Sequence, residues 1–327
     1  MGKIEPIKKK LDHFYSLIKD YEEGAPDTRY KSWEWCHEAF VRNKNLREQD
    51  ISKEKVECTV DYLSLHLGFY LASWGMYRGS SFLLQRDYKT HKAAVRTILG
   101  LTEDYSKDED AEDYSSLWKY KPESEKDIKN ADSLLFDPDT GIYWKVKESY
   151  KGVDESAKSI DESSETLTTK ILMGTFGCIP AFDRFFKRGI ALYKNAYNIE
   201  KISNYKLTQS IERKEKNHSE SFKALSAFAM HNQKEFDNWR SEDVKNWRSE
   251  DVKYPLMKCV DMYFWEIGYE MNMADDLSDK NNKDNEKKQV LLERARKMEL
   301  CKNCGDEDFE KAAGQIREKN GIGGINE

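Results

Sequence analysis

Residues 54–85 read EKVECTVDYLSLHLGFYLASWGMYRGSSFLLQ and are apolar on most faces of a helix. A helix that is apolar around most of its circumference lies in the interior of a domain. We therefore predict a central helix here, broken or kinked at Gly75 and Gly79. Further segments with apolar residues at helical spacing lie on both sides of it: 6–23, 32–42, 89–99, 154–173, 180–193, 207–239, 255–273 and 290–300. The sequence thus predicts an all-α fold, a multi-helix orthogonal bundle.

One short segment departs from this helical pattern. Residues 137–141 (DPDTG) form a strong turn signal, and residues 142–146 (IYWKV) follow it directly. Because aromatic and β-branched residues are enriched in strands, we expect at most one small β element, near 142–146.

The composition suggests where the domains begin and end. A chain of 327 residues is long enough for about two domains. We predict a main helical domain at 1–273, which divides into lobes at about 1–100 and 154–273 if the acidic segment 101–153 only joins them. Two pieces should follow at the C-terminus: a polar linker at 274–289, and a short helix with a flexible tail at 290–327.

Composition also excludes several classes of protein. The 17 glycines and six prolines are too few for a collagen-like chain or a many-turned β-sandwich, and the 12% of aromatic residues argues against disorder. The first twelve residues lack the apolar core of a signal peptide. No apolar stretch approaches the roughly 20 residues that span a membrane. We expect a cytoplasmic protein with no membrane partner.

The charges are unevenly distributed along the chain. The net charge is −6, which speaks against a general nucleic-acid binder. Residues 102–165 contain 19 acidic and nine basic side chains, whereas residues 184–218 contain three acidic and nine basic ones. Residues 78–101 are also basic. This asymmetry favours an anion-facing groove on an otherwise acidic protein, and the alternative is a set of solvated helix faces.

A short internal repeat lies near the end of the predicted main domain. Residues 238–245 (NWRSEDVK) occur again, unchanged, at 246–253. Eight residues rotate a helix face by about 80° beyond two turns, so both copies cannot share one buried face. We interpret the repeat as a tandem duplication in a segment on the solvent side.

The most informative stretch is TKILMGTFGCIPAFDRFFKRG, residues 169–189. It is a helix end, a turn bracketed by glycines, and a second helix with Asp183 in its first turn. Residues 180–188 (PAFDRFFKR) resemble the segment around the catalytic aspartate of helix-hairpin-helix DNA glycosylases, with residues 170–173 as the preceding helix. This chain has one more residue between the proline and the aspartate. It also has no glycine at 159–168, where that family has a glycine-rich hairpin.

The resemblance implies a helix-hairpin-helix-like fold, a catalytic role for Asp183, and phosphate contacts for Arg184, Lys187 and Arg188. Breaking an N-glycosidic bond builds positive charge on the sugar, and a carboxylate stabilises that charge or deprotonates the attacking water. The positive end of a helix dipole favours the charged form of a carboxylate. The alternative is structural: Asp183 caps its helix after the proline and pairs with a nearby lysine.

A second constellation is SWGMYRGSS, residues 73–81, in the most apolar part of the chain. A buried arginine is costly unless it is paired. Arg78 should therefore bond to a carboxylate, Asp183 or Asp61, or face a pocket that receives an anion. The alternative is that the glycines allow close helix packing and that Arg78 is satisfied internally.

The same constellation supplies the predicted substrate-binding residues. Aromatic rings are the usual surface on which an extruded nucleobase stacks, and hydroxyl groups offer hydrogen bonds beside them. The predicted set is Trp74, Tyr77, Arg78, Ser80 and Ser81.

Metal and cofactor motifs are scarce. Cys301 and Cys304 (CKNC) make half of a zinc knuckle, but a structural zinc site needs four ligands and the sequence has no second CxxC or HxxxH pair. These two cysteines are therefore weak candidates, and we predict no metal. Glycine-rich nucleotide loops, HExxH and GxSxG are absent from the sequence, so we predict no cofactor.

Together these observations favour a DNA glycosylase that excises damaged or modified bases, in repair or in defence against phage, with DNA as its partner. Two alternatives from other classes remain. One is a non-catalytic helical module that binds a protein through residues 207–273, and the other is a sensor of a small anionic ligand around Arg78. Runs such as YLASWGMYRGS (residues 70–80) also resemble an uncharacterised bacterial family, which implies no activity.

Overall fold

The all-α prediction is confirmed over the part of the chain that the structure describes. The computed structural model describes residues 6–19, 28–79, 81–151, 165–196, 215–242, 254–281 and 284–321. These residues form thirteen α-helices and five short 3-10 helices, and contain no β-strand. The α-helices are α1 (Ile7–Lys19), α2 (Ser32–Asn43), α3 (Lys53–Ser73), α4 (Lys92–Leu99), α5 (Glu125–Phe136), α6 (Ile142–Glu148), α7 (Glu165–Thr175), α8 (Arg184–Ala196), α9 (Glu215–His231), α10 (Gln233–Glu242), α11 (Leu256–Ser278), α12 (Asn285–Lys297) and α13 (Phe309–Lys319).

The helix predicted over 54–85 covers only 53–73, and it ends just before Gly75, where a break or kink was predicted. Helix α3 begins after Ser52, whose hydroxyl accepts from the Lys55 N–H, and it stops at Ser73. Gly75 has a φ of +77°. The Met76 N–H bonds to the Leu71 carbonyl at 2.9 Å, which is the Schellman pattern of a helix C-terminus. The residues after Gly75 therefore leave the helix axis and are free to form one side of a pocket.

The β element expected near 142–146 is wrong, because these residues lie in α6. Asp137 Oδ1 accepts the Asp139 and Thr140 N–H groups, so the predicted turn is present. Ile142 and Val146 are fully buried and four residues apart. That spacing places them on one face of a helix. Packing of this face decides the structure over the strand preference of the individual residues.

The central helix of the fold is α11 rather than α3. Nearly every residue of α11 is buried, whereas Tyr62, Leu65 and Phe69 of α3 are about half exposed. Helix α11 crosses α8 closely, because a Cβ atom on Gly268 would lie 1.9 Å from the Phe185 carbonyl oxygen. Most of the surface of α11 is therefore covered by other parts of the protein.

The predicted polar linker at 274–289 begins later than expected. Ala274 and Leu277 are buried in the last turns of α11. With Met273 they pack against α12 and α13 in a second, smaller apolar cluster that includes Leu292 and Ile316. The apolar side chains at helical spacing extend α11 through Ser278, although the surrounding residues are polar.

The described part of the first copy of the internal repeat, residues 238–242, is not wholly on the solvent side. Trp239 is fully buried in α10, and its Nε1 donates to Asp12 at 2.9 Å. Its ring packs edge-to-face against Tyr15 and Tyr254. The second copy, 246–253, lies outside the described residues.

No helix in the described segments combines the length and the apolar character that a bilayer crossing requires.

Candidate functional site

A pocket of about 480 Å³ lies where the residues after α3, helix α7, the start of α8 and helix α11 meet. It contains Asp183 together with Arg78, which are 105 residues apart in the sequence. The lining residues are Arg29, Tyr30, Ser73, Trp74, Gly75, Met76, Arg78, Thr166, Lys170, Asp183, Arg184, Phe185, Trp265 and Tyr269.

Asp183 is held on both of its carboxylate oxygens. Oδ1 accepts the N–H groups of Phe185 and Phe186, at 3.0 and 3.1 Å, and so caps α8. Oδ2 accepts from the Lys170 ammonium at 3.0 Å. This is the cap and lysine pair of the structural alternative. The Asp183 side chain nevertheless keeps 15% of its surface exposed and lines the pocket, so it is within reach of a bound ligand.

The turn that carries Asp183 is fixed by hydrogen bonds from two neighbouring helices. The Phe182 N–H donates to Thr169 Oγ1, and the Ala181 N–H donates to Asp261 Oδ1, both at 3.0 Å. Asp261 also pairs with the buried Lys258 at 2.7 Å. Because α7 and α11 both hold this short turn, the position of Asp183 is set by the packed core.

Trp74 forms an aromatic wall of the pocket. Its ring packs edge-to-face against Tyr30 and Trp265, with centroids 5.4 and 5.8 Å apart. The ammonium groups of Lys170 and Lys258 lie 5.2 and 5.4 Å from its centroid. The predicted role of Trp74 in binding is compatible with this position.

Arg78 is exposed, so the expectation of a buried arginine is wrong. It follows the end of α3, and its guanidinium lies against Gly75, where a Cβ atom would be 2.8 Å from Arg78 Cζ. Neither expected carboxylate is its partner. Asp61 pairs with Lys92, and Asp183 pairs with Lys170. Within the described residues the guanidinium has no hydrogen bond or ion pair, and it faces the pocket.

Tyr77 does not line the pocket. Its hydroxyl and Nε2 of His91 are hydrogen-bonded at 2.7 Å, and Nδ1 of His91 is bonded to the Tyr150 hydroxyl at 2.7 Å. Burial lowers the pKa of His91 to about 4, although Asp87 acts in the opposite direction. The neutral imidazole therefore ties the segment after α3 to the core, and Tyr77 is used for that contact.

The two predicted serines do not join Trp74 and Arg78. Ser81 caps the 3-10 helix at Phe82–Gln85, where its hydroxyl accepts the Leu83 N–H at 3.3 Å, and it does not line the pocket. Ser80 lies outside the described residues.

Only one of the three predicted phosphate contacts lies at the pocket. Arg184 lines it, with Cζ 4.6 Å from the Phe185 ring centroid. Lys187 pairs with Glu165 at 2.6 Å, and Arg188 pairs with Asp275. Both lie about one turn beyond Arg184 on α8, and their carboxylate partners belong to the neighbouring helices α7 and α11.

Comparisons of the chain with protein-family models, curated proteins and solved structures found no match.

Several pocket residues had no distinguishing signal in the sequence. Arg29 lies in the 3-10 helix Thr28–Lys31, and its guanidinium is 5.1 Å from the Tyr30 ring centroid. Trp265 and Tyr269 are one turn apart on α11 and look like core residues. Lys170 was identified only as part of a helix. Their convergence depends on helix crossings between distant parts of the chain.

Among the described residues, one group of side chains has donors close enough for a metal ion: His13, Glu266 and Glu270, within 4.8 Å of one another. Glu270 is already paired with the buried Lys10. Burial and the neighbouring charge of Glu270 raise the pKa of Glu266 well above its usual range. A divalent ion beside Lys10 would leave excess positive charge in the core, so this donor set does not fit one.

The two cysteines considered for zinc lie between α12 and α13. Cys301 is buried, and Cys304 is partly exposed, with its Sγ 3.6 Å from the Lys302 carbonyl oxygen. Neither belongs to a group of three metal-binding side chains in the described part of the chain. Four ligands are needed for a structural zinc site, so this pair alone does not make one.

Proposed function

We propose that this protein is a DNA glycosylase that receives an extruded nucleotide in the pocket and hydrolyses its N-glycosidic bond. The observation that carries the proposal is a carboxylate, Asp183, in a pocket with four cationic side chains and several aromatic rings. The volume of about 480 Å³ lies within the range of about 300–1,000 Å³ for small-molecule sites. An extruded nucleotide presents the matching groups, which are a flat base and flanking phosphates.

In this reaction the bond between the sugar C1′ and the base nitrogen breaks, and the electron pair leaves with the base. Positive charge develops on the sugar, and the Asp183 carboxylate stabilises it. A water molecule then adds to C1′ as Asp183 takes its proton, which finally reaches the departing base. Lys170 holds Asp183 in place and has two ammonium hydrogens free for the base.

The cationic side chains account for binding of the strand. Arg29, Arg78 and Arg184 are exposed at the pocket, and each offers donors in the planar geometry that suits phosphate oxygens. Salt should weaken binding, because each phosphate contact releases a counterion. Tyr30, Trp74, Trp265 and Tyr269 offer rings beside the base.

A base-release assay tests the proposal. Purified protein is incubated with duplexes that contain normal, damaged or hypermodified bases, and released bases and abasic sites are measured by mass spectrometry. Asp183→Asn keeps an oxygen for the helix cap and should reduce release by about 10²–10⁴-fold, with DNA binding retained. Asp139→Asn is the matched control, because Asp139 is exposed in a remote turn.

Two outcomes would contradict parts of the proposal. Equal rates for wild type and Asp183→Asn would remove Asp183 from the mechanism. Failure of wild type to release a base from every DNA tested would remove the glycosylase function.

A second candidate function is a sensor of a small anionic ligand. The unpaired guanidinium of Arg78 at this pocket favours it as well. A rise in melting temperature with free anionic metabolites, together with no salt-sensitive affinity for DNA, would support the sensor over the enzyme.

A further inference from the structure

The pocket has a large excess of positive charge. Arg29, Arg78, Lys170 and Arg184 face one carboxylate, that of Asp183, which gives a formal charge of +3 in a chain whose net charge is −6. No guanidinium at this pocket has a carboxylate partner among the described residues. The basic side chains next to it, Lys187 and Arg188, are paired instead, so the excess is local to the pocket.

Most of the aromatic rings that line the pocket already have a cation of the protein near one face. Arg29 lies over Tyr30, Arg184 lies over Phe185, and Arg294 lies over Tyr269, with distances of 5.1, 4.6 and 5.9 Å to the ring centroids. Trp74 has two buried ammonium groups beside it, those of Lys170 and Lys258. A cationic ligand binds an aromatic site through the negative face of the ring. Here lysine and arginine side chains already make this interaction with most of the rings, so little of it is left for a cationic ligand.

Hydrogen-bond donors also outnumber acceptors in the pocket. Both oxygens of Asp183 are engaged, with Phe185, Phe186 and Lys170. No N–H group of the Arg78 side chain is hydrogen-bonded to a described residue. Arginine and lysine donate and do not accept. A ligand that presents carbonyl oxygens or negative charge therefore matches the pocket better than one that presents amino groups or positive charge.

We infer, on the basis of the proposed glycosylase function, that the pocket selects neutral or anionic keto bases and rejects cationic N-alkylated purines. A keto base departs as an anion, and the excess positive charge stabilises that anion as the bond breaks. A cationic base gains nothing from this charge when it departs as a neutral molecule, and it is repelled when it enters. The selection thus acts on binding and on bond cleavage in the same direction.

The experiment compares duplexes of one sequence that carry uracil (neutral), 5-carboxylcytosine (anionic) or 7-methylguanine (cationic) at one position. Release is expressed as the enhancement over the enzyme-free rate, because alkylated purines are lost spontaneously. Binding is measured separately with Asp183→Asn, by quenching of tryptophan fluorescence, so that the ranking does not depend on catalysis. We expect the neutral and anionic bases to exceed the cationic base at least tenfold in both measurements.

Charge variants test the cause of the selection. Arg78→Met should narrow the preference several-fold, because it removes one charge from the pocket. Arg42→Met removes the same charge from an exposed position on α2 and should leave the preference unchanged.

The outcomes separate this inference from the proposed function. Equal or greater enhancement and binding for 7-methylguanine would overturn the inference, whichever base is released. Absence of binding for all three duplexes would overturn it too. Binding in the expected order without release of a base would refute the glycosylase function and support the inferred selectivity of the pocket.

Discussion

Two lysine–aspartate pairs lie beside the same indole ring and differ in what they face. Lys170 and Lys258 both place an ammonium group within 5.4 Å of the Trp74 centroid. The Lys258–Asp261 pair is closed off from solvent, with exposures of 3% and 6%. Asp183, the partner of Lys170, lines the pocket. The same chemical pair is therefore enclosed in the core in one place and presents an accessible carboxylate to a pocket in the other.

The largest expected effect comes from the buried pair. Asp261→Ala leaves the Lys258 ammonium without its carboxylate and removes the acceptor of the Ala181 N–H. Breaking a buried ion pair from one side costs about 3–5 kcal/mol. Urea denaturation followed by circular dichroism should show a loss of this size in the free energy of unfolding. A loss below about 1 kcal/mol would mean that Asp261 contributes no more to the free energy of unfolding than the helix cap at Asp183.

A second buried group, His91, predicts a pH dependence. Its pKa is about 4 in the folded protein, below the ordinary value of 6.5. As the pH falls below 6.5 the unfolded chain takes up the proton first, so stability is present above that pH and is lost toward pH 4, by at most about 1.4 kcal/mol per pH unit. Urea denaturation between pH 7 and 4.5 should show a steeper loss for wild type than for His91→Gln. Equal slopes would show that His91 is not buried neutral.

The close crossing of α8 and α11 positions Phe185 at the pocket that Asp183 lines. A Cβ atom on Gly268 would meet the Phe185 carbonyl oxygen at 1.9 Å, so Gly268→Ala must separate the two helices. Overpacking of this kind costs about 1–3 kcal/mol and should also weaken DNA binding, because Phe185 lines the pocket. Thermal and urea unfolding give the first effect, and tryptophan quenching gives the second.

Gly314 supplies the matched control for this crossing. It lies in α13, and a Cβ atom there would meet nothing within 4 Å. Gly314→Ala should stabilise the protein by about 0.5–1 kcal/mol, because alanine is the better helix former. Destabilisation by Gly314→Ala as large as that by Gly268→Ala would show that the close approach is not the cause.

The open pair should lose less stability than the buried pair. Asp183→Ala removes a helix cap, which costs about 1 kcal/mol, and leaves Lys170, which lines the pocket, without its carboxylate partner. Urea denaturation should therefore give a free energy of unfolding close to that of wild type, although we expect the proposed base release to be lost. A cost near that of Asp261→Ala would show that the role of Asp183 is structural.

The sequence predicted the elements that depend on residues close to one another in the chain. Apolar spacing predicted the helices. The proline-led turn predicted a helix from residue 180 with Asp183 in its first turn, whereas α8 begins at Arg184 and Asp183 caps it. The errors also have local causes. Ile142 and Val146 favour a strand as isolated residues, and the end of α3 at Ser73 depends on the left-handed conformation of Gly75. Sequence patterns alone left the extent of that helix open.

The sequence by itself determined an all-α protein with a carboxylate at the start of a helix, because helical periodicity and capping involve neighbours within a few residues. Only the tertiary structure decided that Arg29, Arg78 and Asp183 share one pocket with Trp265. It also decided that Tyr77 serves the core through His91 rather than the pocket. These outcomes depend on which helix faces pack together. That packing involves segments that are distant in the sequence and cross closely around α11.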